Sequence, residues 1–97
     1  MNIQINAMRF EPDAKLQDFI ETKLGKLSQF SDKIIGADVF LKLENTQNTE
    51  NKVAEIRLQI PGNDLFAKKQ CKTFEESTDT AVDALKKQLK RAKTKKR

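Results

Sequence analysis

The chain has no histidine, one cysteine and three glycines in 97 residues, and each shortage removes a class of function. Without histidine it lacks the commonest general base at neutral pH and a common zinc ligand, so no metal site is expected. Cys71 alone forms no internal disulfide and reads as a small buried apolar residue in a strand. Gly25, Gly36 and Gly62 are scattered, so there is no glycine-rich phosphate loop and no nucleotide motif. Long apolar runs are missing too. No stretch approaches the roughly 18 apolar residues of a membrane span. The segment MNIQINAMRF lacks the charged start, apolar run and cleavage site of a signal peptide. The expected compartment is the cytoplasm, with no membrane partner. Glu75 and Glu76 are adjacent, but on a helix they point about 100° apart and form no acid–base pair. Neither a cofactor nor a small-molecule substrate nor an enzyme is expected.

What the chain does have is positive charge in one place. Eight of the last twelve residues are basic (Lys86, Lys87, Lys90, Arg91, Lys93, Lys95, Lys96 and Arg97) and none is acidic. Taking those eight from the 19 Lys and Arg leaves 11 against 14 Asp and Glu, so the first 85 residues carry −3 and the tail +8. A field that dense favours a polyanion; a solvated terminus that keeps a small protein soluble is the plainer reading. Ninety-seven residues make one small domain that buries about 60–68% of its unfolded surface, enough for one core and too little for a deep cavity.

The hydrophobic pattern gives the order βαβββα. Met1, Ile3, Ile5 and Ala7 alternate with polar residues as strand one. Pro12 and Asp13 open a helix with Leu16, Phe19, Ile20, Leu24 and Leu27 at helical spacing, reaching about Phe30, within which Gly25 either costs up to about 1 kcal/mol relative to alanine or marks close packing on the sheet. Residues 34–44 alternate again, Asn45 to Asn51 is a polar loop, and Ala54, Ile56, Leu58 and Ile60 form strand three. Pro61-Gly62-Asn63-Asp64 turns the chain into strand four, Leu65 to Lys72. Thr73 and Glu76 have the spacing of a capping box. The second helix follows, and about Leu85 its Phe74, Thr78, Ala81, Leu89 and Ala92 fall within about 40°, an apolar stripe for the sheet. Strands one and two must be parallel across a right-handed crossover and strands two to four meander, so both helices cover one face. The fold class is α+β, a two-layer sandwich with a four-stranded mixed sheet. Residues 1–93 form the single domain and 94–97 a frayed basic tail. The open face is polar except for Phe40 and Phe66.

On the first helix Lys15, Lys23 and Lys26 take one flank and Asp18 and Glu21 the other. A one-sided lysine flank beside a basic second helix suggests a shared positive groove.

The element order, the run Phe19-Ile20-Glu21-Thr22-Lys23-Leu24-Gly25-Lys26-Leu27, and Asp79, Ala81, Asp83, Leu85, Gln88, Leu89 and Lys93 on the second helix resemble the ribosome hibernation-promoting factor family, also called ribosome-associated inhibitor or sigma-54 modulation proteins. The resemblance covers essentially the whole chain. It implies a double-stranded-RNA-binding-domain-like sandwich on the small ribosomal subunit, in the channel of tRNA and mRNA near the decoding region, whose basic helices contact rRNA phosphates and silence translation. By the same resemblance Lys23 and Lys26 occupy basic positions of helix one, and Lys87, Arg91 and Lys93 basic positions of helix two. Lys86 and Lys90 add charge beside them. The chain departs from the family at Glu75-Glu76-Ser77-Thr78, where many members read Tyr-Ala-Ala-Ile, and at Ala84, often lysine. Ending at Arg97, it resembles the short class, which lacks a C-terminal dimerisation domain. The competing reading is a non-catalytic protein-interaction module that uses the open sheet face, its tail only solubilising.

Overall fold

The structure is a computed structural model that describes residues 1–95 apart from 46 and 48; the side chains of residues 92–95 are also outside the description. The elements are β1 (Asn2–Ala7), α1 (Ala14–Gly25) continued by a 3₁₀ turn (Lys26–Gln29), β2 (Gly36–Leu43), β3 (Lys52–Gln59), β4 (Leu65–Cys71) and α2 (Phe74–Lys95). The strands lie in the order β1-β2-β3-β4. β1 runs parallel to β2, and the other neighbours are antiparallel. This is the expected βαβββα sandwich. α2 runs through Thr94 and Lys95, where fraying was expected, while Lys96 and Arg97 lie outside the described residues.

Strand alternation sends one side chain of each pair to the helices. Ala37, Val39 and Leu41 of β2, Ala54, Ile56 and Leu58 of β3 and Ala67 of β4 meet Leu16, Ile20, Leu24 and Leu27 from helix one and Ala81, Val82, Leu85 and Leu89 from α2. Burying a leucine or isoleucine of this set contributes about 1.5–3 kcal/mol. Asp13 caps α1, its side chain accepting from the Leu16 amide at 2.9 Å. Thr73 Oγ1 accepts from the Glu76 amide at 3.0 Å, the forward half of the expected capping box. Arg9, in the turn out of β1, has φ 70, a left-handed backbone taken up without a glycine.

Several local expectations are corrected. Gly25 is exposed and a Cβ there would meet nothing within 4 Å, so it does not mark close packing. It marks instead the point where α1 tightens, with the Ser28 hydroxyl donating to its carbonyl at 2.6 Å. Close approach occurs at Gly36, where a Cβ would lie 2.6 Å from the carbonyl oxygen of Asn2, its partner in the parallel ladder. Cys71 is half-buried at the end of β4, its Sγ 4.0 Å from Thr80 Oγ1. Ser77 joins the buried side of α2, its hydroxyl 2.5 Å from the Lys52 carbonyl and 2.9 Å from that of Thr73, which fastens the start of α2 to β3.

The face away from the helices carries Phe40 and Phe66, 44% and 52% exposed, as expected. Between them on β3 stand Arg57, 3.2 Å from Asp38 and 3.6 Å from Asp64, and Glu55, 3.6 Å from Lys42 and 3.7 Å from Lys68. The phenyl rings are thus divided by ion pairs.

Two substitutions test this packing. Gly36→Ala forces a methyl against backbone oxygen that cannot rotate away, and should destabilise by about 1–3 kcal/mol in a thermal or urea melt. Thr78 is fully buried, and its hydroxyl finds no hydrogen-bond partner among the described residues. Thr78→Val keeps the shape and removes the orphaned group, so stability should rise by about 1 kcal/mol, roughly 4–8 °C in Tm for a domain of this size.

Candidate nucleic-acid interface

The two helices run in the same direction, and contacts at three places mark the way. Phe10, just before α1, stacks on Phe74 at the start of α2 with ring centroids 5.1 Å apart. Further along, Lys23 Nζ lies 3.0 Å from Asp79 Oδ1. At the far end Lys86 and Lys90 of α2 each place Nζ 5.5 Å from the ring centroid of Phe30, which closes the 3₁₀ turn. The C-terminal ends of both helices therefore lie at one end of the sandwich. Backbone carbonyls there carry partial negative charge, which lysines near helix ends complement by about 0.3–1 kcal/mol each.

Burial of Ala81, Leu85 and Leu89 fixes the rotation of α2. Positions three and four apart share a face, so Asp79, Asp83, Lys86 and Lys90 form one stripe and Thr80, Ala84, Lys87 and Arg91 another. The contacts to Lys23 and Phe30 show that the first stripe faces helix one. The second lies toward β4, where Thr80 meets Cys71 and Gln88, beside it, donates to the Phe66 carbonyl at 3.0 Å.

The expected groove is thereby rearranged. The residues gathered at the end of helix one are Lys86 and Lys90, not Lys87 and Arg91, which are exposed about 100° further round the helix. Lys26 is exposed at the start of the 3₁₀ turn, at the same end of the molecule. Lys23 is partly enclosed, ion-paired with Asp79 and set 5.5 Å over the Phe19 ring, so its charge is answered within the protein. Lys93 follows Lys90 by three residues on α2, and its side chain is outside the described ones. Phe30 is the participant that sequence reasoning missed. Read as the last apolar residue of helix one, it is half-buried and presents a ring face to two lysines, a contact worth about 0.5–1 kcal/mol each at partly exposed sites.

Lys26, Lys86, Lys87, Lys90 and Arg91 present cations on adjoining surfaces at one end, while Glu75 and Glu76 are exposed at the start of α2, the opposite end. Among the described residues no three His, Cys, Asp or Glu side chains are grouped to hold a metal ion. Among the described residues no helix is long and apolar enough to cross a membrane.

Comparison with known proteins agrees with the architecture. A protein of Pseudomonas putida named ribosome hibernation promoting factor is 30% identical over 95 residues, covering 98% of this chain and 89% of that protein. A Deinococcus radiodurans protein named ribosome hibernation promotion factor is 30% identical over 93 residues, 94% of this chain and 48% of its own length. The chain thus spans about half the length of the Deinococcus relative. The crystal structure of the N-terminal domain of Thermus thermophilus Protein Y superimposes with a TM-score of 0.81 at 29% identity, covering 94% of this chain and 98% of that one. The sequence profile described as sigma 54 modulation protein / S30EA ribosomal protein matches residues 3–97, and the chain belongs to that family.

Proposed function

We propose that this chain is a non-catalytic ribosome hibernation factor. It binds the small ribosomal subunit near the decoding region through rRNA phosphates at the cationic end of its two helices, and so silences translation. The observation that carries this reading is the gathering of Lys86 and Lys90 over Phe30, beside Lys26 and next to Lys87 and Arg91, with no acid in α2 after Asp83. The names of the Pseudomonas and Deinococcus relatives support it. The open sheet face is a poorer partner for a polyanion, because Asp38 and Glu55 neutralise its bases in place. Phosphate contacts position a protein without reading sequence, which suits a factor that must seat on every ribosome alike.

Ribosome pelleting and inhibition of cell-free translation test the reading together. With about four to six phosphate contacts, the log–log dependence of affinity on salt should have a slope near −3 to −5. Lys86→Gln/Lys90→Gln and Lys87→Gln/Arg91→Gln should each flatten that slope by about 1.4–1.8. Stability should change by no more than about 0.5 kcal/mol per site for the exposed Lys87 and Arg91, whereas Lys86→Gln/Lys90→Gln should lose about 0.5–1 kcal/mol for each contact with Phe30. The control pair Lys42→Gln/Lys52→Gln, on β2 and at the start of β3, removes the same charge and should leave binding nearly unchanged. Lys23→Gln should weaken binding less than either α2 pair, since Asp79 already holds its ammonium. Phe40→Ala should leave ribosome occupancy intact. Equal losses in all three double variants would replace a defined site by bulk charge, and no co-sedimentation at low salt would overturn the proposal.

A further inference from the structure

β1 is an edge strand with none of the usual defences. Asn2-Ile3-Gln4-Ile5-Asn6-Ala7 contains no charge, no proline and no bulge, the devices by which edges avoid pairing with another chain. Among the described residues no strand lies on its outer side. Its backbone polarity is settled by the parallel ladder: the Asn2 amide donates to the Ile35 carbonyl at 3.2 Å and the Met8 amide to the Leu41 carbonyl at 3.0 Å. Even-numbered residues therefore bond inward to β2, and Ile3, Ile5 and Ala7 aim N–H and C=O outward. The same residues have half-buried side chains on the helix side, while Asn2, Gln4 and Asn6 are exposed on the open face.

The segment from Asn2 to Asn6 reads the same in both directions, Asn-Ile-Gln-Ile-Asn. We propose that β1 pairs antiparallel with β1 of a second copy of this chain, about a two-fold axis through Gln4, making one continuous sheet across the dimer. An antiparallel edge demands that outward-bonding residues meet outward-bonding residues, so the axis must pass through a residue position and not between two, which sets odd against odd and even against even. The axis at Gln4 satisfies this and uses the full length from Met1 to Ala7. Ile3 faces Ile5 of the second copy and exchanges both backbone hydrogen bonds with it, roughly four bonds for the two symmetric pairs. On the open face Asn2 meets Asn6 and Gln4 meets Gln4, amides that both donate and accept.

A second feature fits the same axis. An open cleft of about 480 Å³, more polar than apolar, lies at the upper end of β1, lined by Ile5, Asn6, Ala7, Phe10, Glu11, Pro12 and Gln17. In this register Met1 of the second copy stands opposite Ala7. Continuing the alternation of β1, its side chain, 43% exposed in the single chain, would lie on the helix side next to that cleft. The edge thus brings a thioether and a cleft together twice about the axis, as an isologous interface requires.

The test is sedimentation equilibrium of the full chain from about 10 µM to 1 mM, with a dissociation constant on the order of 10–100 µM expected for an interface of this small size. Gln4→Lys sets like charges face to face at the axis and should weaken the dimer roughly tenfold, as should Gln4→Glu. Mixing the two variants in equal amounts should restore association, because only this axis brings position 4 against position 4. Circular dichroism and melting establish that each variant is folded. Independently, amide exchange in the unaltered chain should slow at Ile3 and Ile5 as concentration rises, with Gln4 and Asn6 unchanged. A chain that stays monomeric at 1 mM overturns the proposal. So does a dimer indifferent to Gln4→Lys, or a mixture of folded variants that fails to reassociate. If a variant does not fold, concentration-independent exchange at Ile3 and Ile5 overturns it.

Discussion

The burial of one stripe of α2 against β3 and β4 governs the rest of the molecule. Ala81 and Leu85 are wholly inaccessible and Leu89 nearly so. Turning the helix by one residue would replace Leu85 in the core by Lys86, losing about 1.5–3 kcal/mol of apolar burial and adding the cost of an unpaired buried ammonium. The rotation is therefore fixed by the core, and with it the direction of every charge. Asp79, Lys86 and Lys90 have no choice but to face helix one, and Lys87 and Arg91 none but to face away. A cationic surface built from side chains selected for other reasons would scatter. Here the helix period and the core together sort it into two stripes.

The parallel course of the two helices supplies the second constraint. A βαβ crossover returns the chain so that β2 runs beside β1, and two further strands in meander send α2 back in the direction of α1. Both helix N-termini then lie at one end with Asp13, Glu75 and Glu76, and both C-termini at the other with Lys26 and the lysines of α2. The helix dipoles and the charge gradient have the same sense, so each stabilises the other. Arranging cations where they would attract a polyanion costs this fold little, because the helix ends favour them in any case.

Strand positions, the parallel first pair, the shared face of the helices and the exposure of Phe40 and Phe66 were all legible in the sequence, because period-two and period-3.6 burial leave strong patterns. What was not legible depends on which atoms meet across elements. Gly25 and Gly36 look alike in the sequence, and only the 2.6 Å approach to the Asn2 carbonyl distinguishes a required glycine from a permissive one. A helical wheel places Lys86 and Lys87 on the same broad solvent side. It took the position of Phe30 to show which of them turns toward helix one. Lys23 looked like a ligand for phosphate because its flank is basic, yet the acid that answers it, Asp79, lies 56 positions away on another helix. The palindrome in β1 was in plain view as letters and meant nothing until the ladder showed which residues bond outward.

The edge and the cationic end are separate devices, and the topology keeps them from interfering. β1 lies at one side of the sheet, whereas α2 packs over β3 and β4 at the other, so a chain paired through β1 keeps Lys87, Lys90 and Arg91 exposed and leaves the half-buried Lys86 as it is. A two-fold axis perpendicular to the sheet leaves both helical layers on the same face but reverses strand direction. The cationic ends of the two copies would then point in opposite directions, away from each other, which avoids the like-charge repulsion that a parallel arrangement would impose. Because the contacts at β1 are backbone hydrogen bonds and neutral amides, their strength depends weakly on ionic strength, whereas a phosphate site weakens steeply with it. Salt alone should therefore separate the two interactions: raising it releases the polyanion and leaves the paired edge in place.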